Sequence, residues 1–294
     1  MSVILHNAQV MVEGKSSQYR LVSLMRLPVA SGAKVFNEAV LYHEHQSLRV
    51  AWHSETVDSR LTHGSLVSVV WGMNTSANDD GGCLRIGGLE LLDKPNPGLN
   101  IFLTVPTPWV TDRTSIQRAA ALWEQLSCPF QHLLNSVLWD GGRFYRYVTG
   151  PVSTADDLRA IGGNFRQTVA TAERAALLTS GQHDVSTSIV ITAAFLLNAG
   201  KADDFHRSAD GYALSERGYW IGGQYTILEW LAVARSEVIV PEEQYIALVH
   251  TLIAARGRAE HAQSIEAAIL GVANRLKEIQ KIQDLVEGER CTSK

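Results

Sequence analysis

The stretch Ile189-Val190-Ile191-Thr192-Ala193-Ala194-Phe195-Leu196-Leu197-Asn198-Ala199-Gly200-Lys201 decides how this chain is read. Its apolar run predicts a helix over 186–198 that ends in a Gly-Lys step. The chemistry at that end is unusual for what it omits. Leu197 cannot ligate a metal, and Asn198 offers one neutral carbonyl oxygen where metal chemistry wants a carboxylate. Lys201 supplies a cation. A literal His-Asp pair, His183-Asp184, lies just before the helix, where Asp184 is better placed as a cap than as a ligand.

Working outward, helices are expected over 164–179, 221–235, 241–256 and 264–285. The last is amphipathic through Ile265, Ile269, Val272 and Leu276, and core packing is its expected use. Upstream, Asp112 is a candidate N-cap for a helix through Leu126. Cys128-Pro129 opens another that ends near Trp139-Asp140-Gly141-Gly142. The N-terminal part reads differently. Short alternating runs at 19–27, 39–44, 47–52, 66–72 and 83–92 are separated by turn residues. Five strands with Gly64 before the fourth suggest a small Greek-key barrel of the OB type. The expected organisation is α+β and multidomain: barrel with an N-terminal arm over 1–93, linker over 94–111, helical domain over 112–288, tail over 289–294. Pro95 and Pro97 with Gly98 carry the linker reading.

The helical part resembles the HD-domain metal phosphohydrolases. The stretch that opens this section looks like the signature helix of that family, which ends in His-Asp-x-Gly-Lys, with Leu197 and Asn198 at the His and Asp positions. Gly162-Gly163-Asn164-Phe165-Arg166-Gln167-Thr168-Val169 resembles Gly-Gly-Leu-Leu-Glu-His-Thr-Leu, with Gln167 at the His. Gly218-Tyr219-Trp220-Ile221-Gly222 resembles a Gly-His-x-x-x-Gly helix start, with Tyr219 at the His. His250 through Gly257 resembles His-x-Ile-x-x-His-His-Gly, keeping His250 and placing Ala255 and Arg256 at the pair. Glu266 through Asn274 resembles Glu-Ala-x-x-Leu-His-x-Ala-Asp, with Gly271 and Asn274 at the ligands. An OB barrel followed by an HD domain resembles the bacterial 3′–5′ exoribonucleases of that architecture. The resemblance covers roughly 18–280. It implies an all-α HD-like fold and an oligomer, and the emptied ligand positions argue against the chemistry.

Composition narrows the rest. The chain has 294 residues, 46% hydrophobic and 19% charged, with net charge −4. There is no global basic field, so any nucleic-acid contact must be local. Cys83, Cys128 and Cys291 lie far apart without metal-type spacing, which fits a reducing cytoplasm. The start of the chain lacks a basic, then apolar leader, and no apolar run is long enough to span a bilayer.

Two candidate sites follow. Lys201, Arg256, Asn198 and His250 are expected to form a vestigial pocket that could hold a phosphate without metal. The other reading of Arg256 is a pair with an acidic neighbour or a solvent-facing cation, and that of His250 a packed or hydrogen-bonded residue. On the barrel, Tyr42, Trp52 and Trp71, with Arg49 and Arg85, are candidates for stacking on and gripping a single strand. Period-2 geometry allows Tyr42 and Trp52 to be core with His43 and His53 outside, or the reverse. The expected function is non-enzymatic: binding of single-stranded DNA or RNA, residing in the barrel, or scaffolding of a complex. No cofactor, catalytic residue or metal is expected. The rivals are an active nuclease or phosphohydrolase using Asp156, Asp157, Asp203, Asp204, His206 and His250, and a structural oligomer subunit whose partners are copies of itself or other proteins.

Overall fold

A computed structural model describes residues 18–29, 34–44, 46–72, 82–110, 112–153, 161–209, 211–257 and 263–276. The expected arm, the tail, Asp156 and Asp157 lie outside them. The chain divides into two compact units. One comprises residues to 95 with 101–111 and 138–145, and the other the remainder.

The first unit is built on a curled, mixed six-stranded sheet: β1 Gln18–Pro28, β2 Val35–His43, β3 Gln46–Ser54, β4 Leu66–Val70, β5 Leu84–Arg85 and β6 Gly88–Leu91. The order is β5-β3-β2-β1-β4-β6. β1 serves two neighbours. Its start pairs with β4 and the rest with β2, across a register shift between Leu21 and Ser23 that lets the strand bend. β5 pairs parallel to β3 and β6 antiparallel to β4, although only Ile86 and Gly87 separate them. One short bent segment thus borders both edges, which gives the sheet the form of a half-barrel. Alternate residues fill it: Tyr19 and Leu21, Ala39 and Leu41, Val50 and Trp52, Val67 and Val69.

Residues 101–111, expected as a linker, are folded into this unit. Two 3₁₀ turns, Ile101–Thr104 and Thr107–Trp109, bury Ile101, Phe102, Val105 and Trp109. The prolines block longer regular elements, and the apolar residues between them still seek a core. The unit's centre is Arg20, which is fully buried. It donates to Gly64 O at 2.7 Å and Thr104 Oγ1 at 2.9 Å, and lies 4.4 Å from the Phe144 ring centre and 5.7 Å from that of Trp109. The ring faces partly replace the missing carboxylate.

The second unit is helical. It contains α1 Arg113–Glu124 and most of α2 Cys128–Leu138, then the C-terminal half of α3 Gly141–Thr149. α4 Gly163–Thr179 and α5 Thr187–Leu197 follow, then α6 Glu216–Trp220, α7 Gly223–Glu237, α8 Glu242–Ala254 and a helix over 265–276, α9. Asp112 caps α1, its carboxylate accepting from Ser115 N. Ser186 caps α5 by accepting from Ile189 N, so the expected cap Asp184 is left exposed two residues too early. α5 is apolar on every side and buried from Ile189 to Leu197, with α4 and α8 against it. The sequence reading missed α3 and a hairpin of β7 Phe205–Ser208 with β8 Gly211–Leu214. No helix among the described residues is long and apolar enough to cross a membrane.

Candidate functional site

The end of α5 builds a cavity of about 300 Å³ in the helical unit, lined by Leu197, Asn198, Lys201, Asp204, Gly222, Gly223, Gln224 and Arg256. Glycine makes it possible. After Asn198 the chain takes a 3₁₀ turn, Ala199–Ala202, laid backbone to backbone on the start of α7. A Cβ on Gly200 would stand 2.0 Å from Gly223 O, and one on Gly223 would stand 2.6 Å from Lys201 N. No other residue fits at either position. That contact brings Lys201 to the amino end of a fifteen-residue helix, where the helix dipole favours anions. Arg146 holds the turn from outside, donating to Ala202 O at 3.1 Å and pairing with Asp203 at 2.7 Å.

Asp204 closes the wall. Its Oδ2 accepts from Gly223 N at 3.0 Å. The residue is only 8% exposed, and Oδ1 has no hydrogen-bond partner among the described residues. Burial pushes its carboxyl above the usual range, against the opposing pull of Gly223 N–H, Lys201 and Arg256. Arg256 donates to Leu197 O. Burial lowers its guanidinium to about 10, with the Asp204 charge holding it up, so it is charged at neutral pH. Lys201 Nζ donates to Val152 O at 3.3 Å. Asn198 Nδ2, also at this wall, is buried with no acceptor among the described residues. Behind it, Asn164 Nδ2 donates to Asn198 O at 3.2 Å, while Asn164 Oδ1 and Gln167 Oε1 are buried and unpaired among the described residues. The cavity thus combines two cations, one buried carboxyl whose pKa is raised, and an amide donor with no acceptor among the described residues. That set accepts a small oxyanion better than a metal ion.

The expected pocket residues Lys201, Arg256 and Asn198 come together here. His250 does not. Its Nε2 accepts from Gln263 N at 3.3 Å, so its role is to tie α8 to the approach of α9. The described members of the rival ligand set do not converge either. Asp203 is paired with Arg146, and His206 faces solvent on β7. Among the described residues no three His, Cys, Asp or Glu side chains are grouped so as to hold a metal. The sequence reading placed Asp204 only in the rival metal-ligand set and Gly222 only in a family-like helix start; Gly223 and Gln224 escaped it. The signal present was the glycine pair Gly222-Gly223.

The barrel candidates are buried, but on two faces. Trp52 is 7% exposed and belongs to the half-barrel core, with Trp71 packed against it. Tyr42 is 4% exposed, and because its neighbour Leu41 is the core residue, it is buried on the opposite face of β2. His53 is the exposed partner, its ring 5.4 Å from that of Phe36. Arg49 is exposed and bonded to Glu38 at 2.6 Å, and Arg85 is exposed at the edge strand. A cleft of about 340 Å³ beside Trp52 and His53 includes Arg26, whose guanidinium is engaged by Asp58 O and Leu61 O. No protein-family model, curated protein or solved structure matches this chain.

Proposed function

We propose that this chain is a non-enzymatic, cytoplasmic single-stranded nucleic-acid-binding protein, and that its phosphate contact is the cavity at the end of α5. The observation that carries this reading is the joint presence of Lys201, Arg256 and the orphaned Asn198 Nδ2 at the amino end of α7. The likeness of the helical unit to an HD domain is in keeping with this reading: three of the five stretches line the cavity, through Leu197, Asn198 and Lys201, through Gly222, and through Arg256, and the other two adjoin them. Asn164 bonds Asn198, Gly200 abuts Gly223, Arg256 bonds Leu197, and a Cβ on Gly271 would reach Ala255 Cα at 4.0 Å. The OB-type barrel is supported by the strand order and by the bent β5–β6 segment that borders both sheet edges. In this reading the family's metal is exchanged for fixed cations. The free thiols Cys83 and Cys128 agree with a reducing compartment.

Fluorescence anisotropy of the full chain with labelled oligonucleotides across a salt series tests it. Single strands should bind more tightly than duplex. With two cations engaged, the log–log salt slope should be roughly −1 to −2. Arg256→Ala should weaken binding. Elemental analysis addresses the enzymatic rival. One Mn, Fe, Ni or Zn per chain, lost on changing His250, would establish a metal centre and overturn the non-enzymatic reading. Absence of binding at low salt would leave scaffolding of a protein complex, or of copies of itself, as the function.

A further inference from the structure

We propose that Tyr219, Trp220 and Tyr225 form a base-stacking platform beside the α5 cavity, so that the helical unit holds a single strand by one phosphate and by its neighbouring bases. The inference rests on the phosphate reading of that cavity and extends it to the ligand's bases. Tyr219 is 70%, Trp220 74% and Tyr225 57% exposed. α6, which carries the first two, buries none of its residues. Its aromatics therefore contribute nothing to a core, and large exposed rings concentrated at one place mark a contact surface.

Their position ties them to the anion site. Trp220 and Tyr225 flank, in sequence, the Gly222–Gln224 segment that walls the cavity. α6 itself is fixed to Asp204. Ser215 N donates to Asp204 O at 2.8 Å, and Ser215 Oγ both donates to Asp203 O at 2.6 Å and accepts from Gly218 N at 2.8 Å. A Cβ on Gly218 would stand 2.4 Å from Asp204 O, so the helix lies directly on the cavity's wall. The Tyr219 and Trp220 rings are perpendicular, with centres 4.9 Å apart, which leaves each ring a face that its neighbour does not cover. The hairpin leading into α6 adds exposed His206 and Arg207.

Charge complementarity selects the occupant. Lys201 and Arg256 call for an anion, and flat exposed rings next to them call for flat apolar faces attached to it. A nucleotide chain with unstacked bases supplies both, and duplex bases are not available for stacking. An apolar protein segment would cover the rings but bring no negative charge to the cavity.

The test uses the full chain and three probes: a fluorescein-labelled oligothymidylate of about 12 nucleotides, an abasic strand of equal length, and inorganic sulfate as competitor. Trp220→Ala should weaken the oligothymidylate by about 5- to 100-fold, Trp220→Phe should retain most of the affinity, and neither change should move the abasic strand or sulfate. Equal affinity for the abasic strand and the oligothymidylate overturns the platform, as does an unchanged affinity in Trp220→Ala. Equal loss of both strands in Trp220→Ala also overturns it, because the ring would then act by holding the cavity together. The cavity reading fails separately, if sulfate does not compete and Arg256→Ala binds like the parent chain.

Discussion

Each unit of this protein buries an arginine, and the two are used in opposite ways. Arg20 in the barrel unit is fully enclosed. Its donors go to Gly64 O and Thr104 Oγ1, and its face lies against Phe144 and Trp109. No carboxylate approaches, and burial pushes it down to about 9. Arg256 in the helical unit is also largely buried. It opens on a cavity whose other walls carry Lys201, Asp204 and an orphaned amide. The difference teaches how to tell a structural cation from a binding one. Arg20 is enclosed by protein groups that use its Nε, its Nη1 and its face, with Nη2 left without a partner among the described residues, whereas Arg256 opens on a cavity whose walls carry polar atoms without partners among the described residues.

Substituting each arginine tests the contrast most strongly. Arg20→Met removes two charge-assisted hydrogen bonds and leaves buried acceptors unpaired, so about 3–5 kcal/mol of stability should be lost. Chemical denaturation would show it as a lowered midpoint, and an unchanged midpoint would deny Arg20 its structural role. Gly200→Ala should come next. Its Cβ would meet Gly223 O at 2.0 Å, and separating the turn from α7 should cost about 1–3 kcal/mol or more and displace Lys201. Thermal melting and sulfate titration would report the two effects together.

Arg256→Ala should behave the other way round from Arg20→Met. Oligonucleotide or sulfate affinity should fall by about 1.5–3 kcal/mol with little change in stability. A lowered melting temperature with unchanged affinity would place Arg256 with Arg20 and erase the contrast. The pH dependence sharpens it further. Asp204 has its folded-state pKa raised by burial, so the neutral form is favoured in the folded chain. The contribution of the neutral carboxyl to stability is complete below its unfolded value and is lost as pH rises through the raised folded value. Sulfate stays dianionic over this window. Its affinity should therefore increase as pH falls through the raised Asp204 range, and Asp204→Asn should flatten that profile. A parent profile already flat would remove Asp204 from the site. The smallest effect is expected at Arg49. Its pair with Glu38 is solvent-exposed, and Arg49→Ala should leave both melting and single-strand affinity unchanged.

How far the chain could be read in advance follows the same division. Helices α1, α4 and α5 were legible, because caps such as Asp112 and runs such as Ile189–Leu197 are local signals. The strand alternation was legible too, but its phase was not. Whether Trp52 or His53 faces inward depends on which side of the sheet is covered, and period 2 cannot say; nor could it say that Tyr42 and Trp52 take opposite faces. α3 was missed because Gly141-Gly142 reads as a stop. In the fold, Gly141 comes so close to Gly64 that a Cβ would stand 2.3 Å from Gly64 O.

By itself, the sequence determined the α+β division and the helical stretch leading to Gly200-Lys201. Those are properties of residue type and spacing. Only the tertiary structure decided that Asp204 and the start of α7 complete the pocket, that His250 stays out of it, and that the exposed aromatics lie on α6 rather than on the barrel. These facts depend on which distant backbones approach one another and which faces are left uncovered, and no local pattern encodes either.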